Sequence, residues 1–323
     1  MDRRDALSKA VLDTTAVGAA ALLPLEVARR FLVQIKEQTA WGASVTQDTV
    51  TAPTGQLNKF NTAARIIRAA TENSDDGYRV GANFPTVAYT AIKLRLPWEV
   101  TEDVFHENIA GESLEETIAN DMTRQFALDL EDLEVNGDET SANDFIKINR
   151  GLVRELNVNG LHRIDGSTIN AGVTDKAHFF AAAKALPNKY WVQGGQASEQ
   201  SGAGEGLRWF CSPKRKIDWI EKLTARATAA GDAALVQQGP AAQSPLGVPF
   251  HTVPSMPDTQ LILANAKNFH RVVSWQIRKR RVTGETDAQL AAIDKRFYVY
   301  FLKHDFIVEE HDAIVQIHTL AAI

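Results

Sequence analysis

The sequence contains a single cysteine, Cys211, and that scarcity removes two architectures at once. No disulfide can form within the chain, so it is no small scaffold held by bridges, and one copy cannot build a multi-thiolate metal site. No apolar run approaches the ~20 residues that a membrane-spanning helix needs. The patterns that announce common chemistries are also missing: the Gly-x-Ser-x-Gly elbow, the His-Glu-x-x-His zinc helix and the Gly-x-x-x-x-Gly-Lys-Ser/Thr phosphate loop. No internal repeat is present. The formal net charge is −5, so there is no cationic excess of the kind that gripping phosphates requires.

What is present is ordinary in bulk. A chain of 323 residues, 44% hydrophobic and 23% charged, is long enough for one large or two intertwined domains and is not disordered throughout. Residues 16–23 are apolar and follow Arg3, Arg4 and Lys9, the outline of a signal peptide. Asp2, Asp5 and Asp13 dilute that positive region, and the run leads directly into a charged amphipathic stretch. The expectation is a protein that stays in the cytoplasm until it assembles.

Residues 1–23 read as an arm of alanines and small polar residues. Pro24 opens a short amphipathic helix in which Val27, Phe31, Leu32 and Ile35 fall at helical spacing. Over 50–100, two extended runs flank a polar tip, Thr71-Glu-Asn-Ser-Asp-Asp-Gly77. In the second run Ile92, Leu94, Leu96, Trp98 and Val100 alternate with Lys93, Arg95, Pro97 and Glu99. That period of two predicts a strand with one buried face, and Pro97 requires a sheet edge or bulge. A long hairpin has too little core to stand alone, so this one needs a surface to lie on, and a neighbouring subunit would supply it.

Ser113 and Glu116 form a capping-box pattern that predicts a helix over 113–135, ~34 Å long, stopped by Asn136-Gly137. Leu114, Ile118, Met122, Phe126, Leu130 and Leu133 make its apolar stripe. Glu131, Asp132 and Glu134 are read, with Asp121 and Asp129, as a solvated acidic face. Beyond it the pattern predicts a helix over 175–186 capped by Thr174, a flexible loop over 193–206, a buried strand over 208–212 and a helix from Pro213 to about 227. Strands follow at 248–253, 260–263, 297–308 and 313–320. Interleaved helices and strands of this kind make an α+β fold.

One dense constellation of ligand-type side chains exists, His304-Asp305 with Glu309-Glu-His-Asp312. A soluble metal-dependent enzyme using His304, Glu310 and His311 is therefore one alternative, although a polar turn between two strands accounts for the same residues. The basic run Arg278-Lys-Arg-Arg281 beside Trp275 invites a phosphate reading, but pairing with an acidic neighbouring subunit is preferred. Cys211, flanked by Trp209 and Phe210, reads as core. No catalytic residue, cofactor or metal site is expected.

Several segments, in order, resemble the major capsid proteins of tailed phages with the Hong Kong ninety-seven fold. They are Trp98-Glu-Val-Thr-Glu-Asp-Val104, Glu107-Asn-Ile-Ala-Gly111, Leu114-Glu-Glu-Thr-Ile118 and Ala127-Leu-Asp-Leu-Glu-Asp-Leu-Glu-Val-Asn-Gly-Asp138. Gly151-Leu-Val153, Leu186-Pro-Asn-Lys-Tyr190, Trp209-Phe-Cys-Ser-Pro213, Leu246-Gly-Val-Pro249 and Val253-Pro-Ser-Met-Pro257 continue the likeness.

The resemblance implies an N-terminal arm (1–48), an E-loop hairpin (49–92), a P-domain (93–159 and 276–310) holding the spine helix, and an A-domain (160–275 and 311–323). It implies hexamers and pentamers of this chain in an icosahedral shell around double-stranded DNA, held without sequence-specific binding and without a membrane. A portal protein is the implied partner, and a decoration protein is a further one. An encapsulin-type compartment shell shares the fold and stands as the alternative. Two departures matter. Some members carry a large fused scaffolding segment; here only a short stretch precedes the matching region, so either scaffolding is a separate protein or the sequence is already trimmed, and Met1 favours the expectation of a separate scaffolding protein. The tip carries no lysine, Lys59 lying well back on the hairpin, so a non-covalent lattice is expected. The expected inter-subunit contacts are Arg65, Arg68, Glu72, Asp75, Asp76 and Arg79 of the hairpin, Glu131, Asp132 and Glu134 of the spine, and Arg278 and Arg280.

Overall fold

The computed structural model describes residues 33, 36, 38–59, 79, 84–101, 113–194, 206–224, 244–274, 278–282 and 295–323, without the side chains of 113–116, 192–194 and 278–282. The helix expected over 25–35, the acidic tip, Trp275 and most of the Gly-rich loop lie outside the described residues.

A one-turn helix α1 (Ala40–Ser44) comes first, capped by Thr39, whose hydroxyl accepts the Gly42 N–H. It feeds β1 (Thr46–Val50). Next, β2 (Thr54–Asn58) and β3 (Thr86–Thr90) pair antiparallel as the base of the expected hairpin. This base rests on its own subunit: Tyr89 packs against Val50 and Val272, with Leu57 and Ile307 alongside. The alternating run continues as β4 (Ile92–Thr101), in which Leu94, Leu96, Trp98 and Val100 are half-buried while Ile92 is 39% exposed.

The spine is α2 (Ser113–Asn136), and it ends at the expected Asn136-Gly137 stop. Gly137 follows because of space, not backbone handedness. A Cβ there would lie 2.4 Å from the Asn149 carbonyl oxygen and 2.5 Å from that of Leu133. Then come α3 (Leu152–Asn159), β5 (His162–Asp165), α4 (Lys176–Ala185), α5 (Asn188–Gly194), β6 (Leu207–Cys211), α6 (Pro213–Thr224), β7 (Phe250–Thr252), β8 (Leu261–Asn265), β9 (Phe269–Ser274), β10 (Arg278–Val282), β11 (Lys295–Val308) and β12 (Val315–His318). The cap of α4 is Asp175, not Thr174: Asp175 forms a capping box with His178. Thr174 instead accepts a hydrogen bond from the buried Arg215 at 2.6 Å.

The strands form two five-stranded sheets besides the hairpin. In the first, β11 pairs with β4 on one side and with β10 and then β9 on the other, and β1 adds in parallel to β9. Among the described residues β4 pairs only with β11, which makes it an edge, the place that Pro97 demands. Its register sets Trp98 opposite Tyr298, and the Trp98 ring stacks on Tyr298 and Tyr300 at 5.4 and 5.1 Å. The second sheet has the order β5-β12-β8-β6-β7. Phe126, Ala127 and Leu130 of the spine pack on the first sheet against Val273 and Leu302. Phe179 of α4 and Trp219 of α6 cover the second, beside Trp209 and Cys211. A third core joins the sheets, with Trp41 between Phe210 of one and Phe269 and Phe306 of the other.

Candidate functional site

The spine's last two turns are buried nearly all round, and that fixes what its acids can do. Phe126, Leu130 and Leu133 set the buried stripe. Glu134, four residues beyond Leu130, falls on the stripe rather than opposite it. Its side chain is wholly buried, and both carboxylate oxygens are used. Oε1 meets Arg271 Nε at 2.5 Å and His304 Nε2 at 2.8 Å. Oε2 accepts from Arg271 Nη2 at 2.8 Å and from the Trp41 indole N–H at 2.8 Å. Four elements thus converge on one carboxylate: α1, the spine, β9 and β11. Burial alone would raise the pKa of Glu134; the Arg271 charge and the hydrogen bonds from His304 and Arg271 overcome it and hold the pKa down at about 2.

Glu131 is 1% exposed and accepts from the Ser255 hydroxyl at 3.1 Å. Asn136, held by Asp132 at 2.6 Å, donates to the Ser255 carbonyl at 2.7 Å. The spine is thereby sewn to the Val253-Pro-Ser-Met-Pro257 segment. The expected solvated face is corrected here: Glu131 and Glu134 point inward, Asp132 is half-buried, and neither buried acid can reach a neighbouring subunit without opening its own. Of the other expected contacts, Arg79 is exposed. Arg65, Arg68, Glu72, Asp75 and Asp76 lie outside the described residues. Arg278 and Arg280 occupy β10 opposite Phe301 and Val299.

The ligand-type constellation is dispersed. His304 faces Glu134 inside the hub, while Asp305 accepts from the Thr90 backbone N–H at 2.7 Å. Glu309 meets His270 at 3.1 Å, and His270 also meets Asp48 at 2.6 Å. With a carboxylate on each ring nitrogen, His270 satisfies both only as the imidazolium. Burial would lower its pKa, but Asp48 and Glu309 reverse that and raise it. Glu310 pairs with Lys59 at 3.6 Å, and His311 with Glu155 at 2.8 Å. Burial would raise Glu155 too, yet the bonds from His311, Asn159 and Arg150 bring it down to about 2. Asp312 takes His162 at 2.9 Å, Lys189 at 2.7 Å and the Tyr190 hydroxyl at 3.2 Å. Among the described residues no three His, Cys, Asp or Glu side chains are grouped to hold a metal.

A groove of about 510 Å³ runs between β3, β11 and α3 past Glu139, Arg150, Glu155, Asp305 and His311. Each charged group on its wall is already paired within the subunit: Arg150 with Glu139 and Glu155, Glu155 with His311, Asp305 with backbone N–H groups. This wall offers a substrate neither a poised nucleophile nor a free base. Cys211 is fully buried, and burial pushes its thiol up to about 12, the wrong direction for a nucleophile.

Sequence reasoning missed the hub. Its signal was available in the spacing of Glu134 from Leu130, and in a lone arginine, Arg271, within the apolar stretch Phe269-His-Arg-Val-Val-Ser274.

No protein-family model matches the sequence. The chain is 26% identical over 281 residues to the putative prophage capsid protein YqbE of Bacillus subtilis, spanning 82% of this chain and 81% of that protein. In three dimensions it is similar to a chain of the satellite phage P4 procapsid that includes the size determination (Sid) protein, with a TM-score of 0.66 at 13% identity, over 99% of this chain and 98% of that one. It is also similar to a chain of Mycobacterium phage Adephagia, with a TM-score of 0.56 at 12% identity, over 100% and 99%.

Proposed function

We infer that this chain, which has the Hong Kong ninety-seven fold of phage capsid proteins, is the major capsid protein of a tailed phage: a self-assembling shell subunit of the virion and not an enzyme. The observation that carries the reading is the match of the whole chain, end to end, to a phage procapsid chain. The prophage capsid relative adds a link in sequence. An encapsulin-type shell has less support, because that relative is named a prophage capsid protein.

The finer assignments are proposals built on this reading. Copies gather as hexamers and pentamers in the host cytoplasm, guided by a separate scaffolding protein, with a portal protein at one vertex and room for a decoration protein. The closed shell holds double-stranded DNA without reading its sequence. The spine and first sheet act as the P-domain, the second sheet as the A-domain, and the hairpin reaches across a neighbour. Arg65, Arg68 and Arg79 would pair there with the outward acids, Asp121, Asp129 and Asp132, since Glu131 and Glu134 are turned inside. An exposed ion pair contributes ~0–1 kcal/mol, so apolar burial repeated over many contacts must carry the lattice.

The test is expression of the chain alone and with its neighbouring genes, followed by negative-stain electron microscopy. Closed icosahedral shells or hexameric capsomers are expected. A persistent monomer or small dimer, even with the neighbouring genes present, overturns the reading.

A further inference from the structure

The chain passes directly from one sheet to the other at two neighbouring places, residues 266–268 from β8 to β9 and residues 309–314 from β11 to β12, while the third passage, from β4 to β5, runs through the spine and α3. Asn268, 7% exposed, stitches the crossings together. Its side-chain amide donates to the Glu310 carbonyl at 2.8 Å, its amide oxygen accepts the Glu310 N–H at 2.8 Å, and its own carbonyl accepts the Glu309 N–H at 3.0 Å. Two crossings pinned at one point make a pivot.

The turn at that pivot then sends four consecutive side chains in four directions. Glu309 holds β9 and, through His270, β1; Glu310 holds the hairpin base at Lys59. His311 holds α3 at Glu155, and Asp312 holds β5 at His162 and α5 at Lys189 and Tyr190. Pairs as open to solvent as these add little to stability. The apolar core around Trp41 already keeps the sheets in contact, but apolar attraction is non-directional and leaves rotation poorly specified. Directional bonds to six surrounding elements add to those the spine makes with Ser255 and supply what apolar contact lacks.

We propose that the Glu309-Glu-His-Asp312 turn is an ionic clasp that fixes the angle between the two sheets and, through it, the curvature at which copies of this chain close a shell. The clasp rests on geometry alone; its part in curvature rests on the capsid reading above. A small angular error per subunit, repeated around a closed lattice, changes the radius at which the lattice closes.

The test combines Glu309→Gln, His311→Gln and Asp312→Asn in one variant. Spin labels at Arg95→Cys on β4 and Lys176→Cys on α4 report the distance between the two halves. Both positions are exposed, and the buried Cys211 takes no label. Pulsed electron–electron resonance on soluble subunits is expected to give a narrow distance distribution for the parent, at least twofold broader for the variant. In parallel, shells of the variant are expected to form with shifted or more varied diameters. An unchanged distribution overturns the clasp. A broadened distribution with shells of unchanged diameter overturns its part in curvature. A parent chain that forms no shell defeats the capsid reading and the curvature step together, while the distances still decide the clasp.

Discussion

Trp41 and Glu134 stand 93 positions apart in sequence and share a hydrogen bond of 2.8 Å, indole N–H to carboxylate, in the buried centre of the subunit. The bond ties α1 to the C-terminal turns of the spine. On the same carboxylate, Arg271 and His304 bring in the first sheet. A charge placed there needs all of its partners, because nothing else in the interior can screen it.

Glu134→Gln should therefore be costly. It leaves the Arg271 guanidinium, 2% exposed, without its counter-charge. Stranding one member of a buried pair costs about 3–5 kcal/mol, whereas Trp41→Phe removes a single hydrogen bond to that charge for about 1.5–3 kcal/mol. Urea unfolding of both variants checks the ranking. Equal losses would show that the hub's strength lies in packing. Acid should act in the same direction as Glu134→Gln. The folded pKa of Glu134 lies near 2 against an ordinary 4.5, so its contribution is present above about 4.5 and is lost as pH falls toward 2.

The hub also marks where sequence reading runs out. Elements set by local chemistry were legible: the Asn136-Gly137 stop, the Pro97 edge and the alternation of Leu94, Leu96 and Trp98 each follow from a few adjacent residues. The inward turn of Glu131 and Glu134 was not. Acidity argues for solvent, and only the distant Ser255, Arg271 and His304 make burial tolerable. The His304–Asp312 constellation is likewise several sites and not one, since β11 sends His304 and Asp305 to opposite faces and the turn after it fans the other four apart.

Gly137→Ala tests a conflict between two local effects. Replacing glycine beside a helix end commonly gains up to about 1 kcal/mol from chain entropy. Here the added Cβ would strike backbone oxygens of Asn149 and Leu133 and the Gly151 nitrogen, none of which can swing away. Forcing that loop aside costs about 1–3 kcal/mol, so the clash wins and the variant melts lower by calorimetry. A higher melting temperature would show that the 149–151 loop yields easily.

Cys211 should be inert toward iodoacetamide in the folded subunit. Its thiol is fully buried and its pKa is pushed up to about 12, so almost no thiolate exists near neutrality. Alkylation is expected only at the rate of opening and should accelerate sharply in denaturant. Fast labelling of native protein would show that β6 opens on its own.

His270 gives the clasp a pH dependence whose sign is set by its partners. Its folded pKa is raised above the ordinary 6.5 by Asp48 and Glu309, which outweigh burial. The stabilisation is fully present below about 6.5 and is lost as pH rises through the raised value. Between about pH 6 and about pH 9 the parent should lose more unfolding free energy than His270→Gln, which has nothing to titrate there. Parallel curves for the two proteins would remove His270 from the account.

Deletion of residues 71–80 separates folding from assembly. The hairpin base is anchored within the subunit, Tyr89 against Val50 and Val272, and the strand pairing of β2 with β3 lies wholly outside the deleted stretch. Removing a stretch as polar as Thr71-Glu-Asn-Ser-Asp-Asp-Gly77 should change subunit stability by no more than about 0.5 kcal/mol, as for other polar surface changes. If the tip lies across a neighbour, the same deletion removes a contact that every copy makes, and small losses multiplied around a closed lattice are decisive. Soluble subunits with an unchanged melting temperature that no longer close into shells are therefore expected by calorimetry and electron microscopy. Normal shells from the deleted chain would place the lattice contacts elsewhere, on the spine and the second sheet.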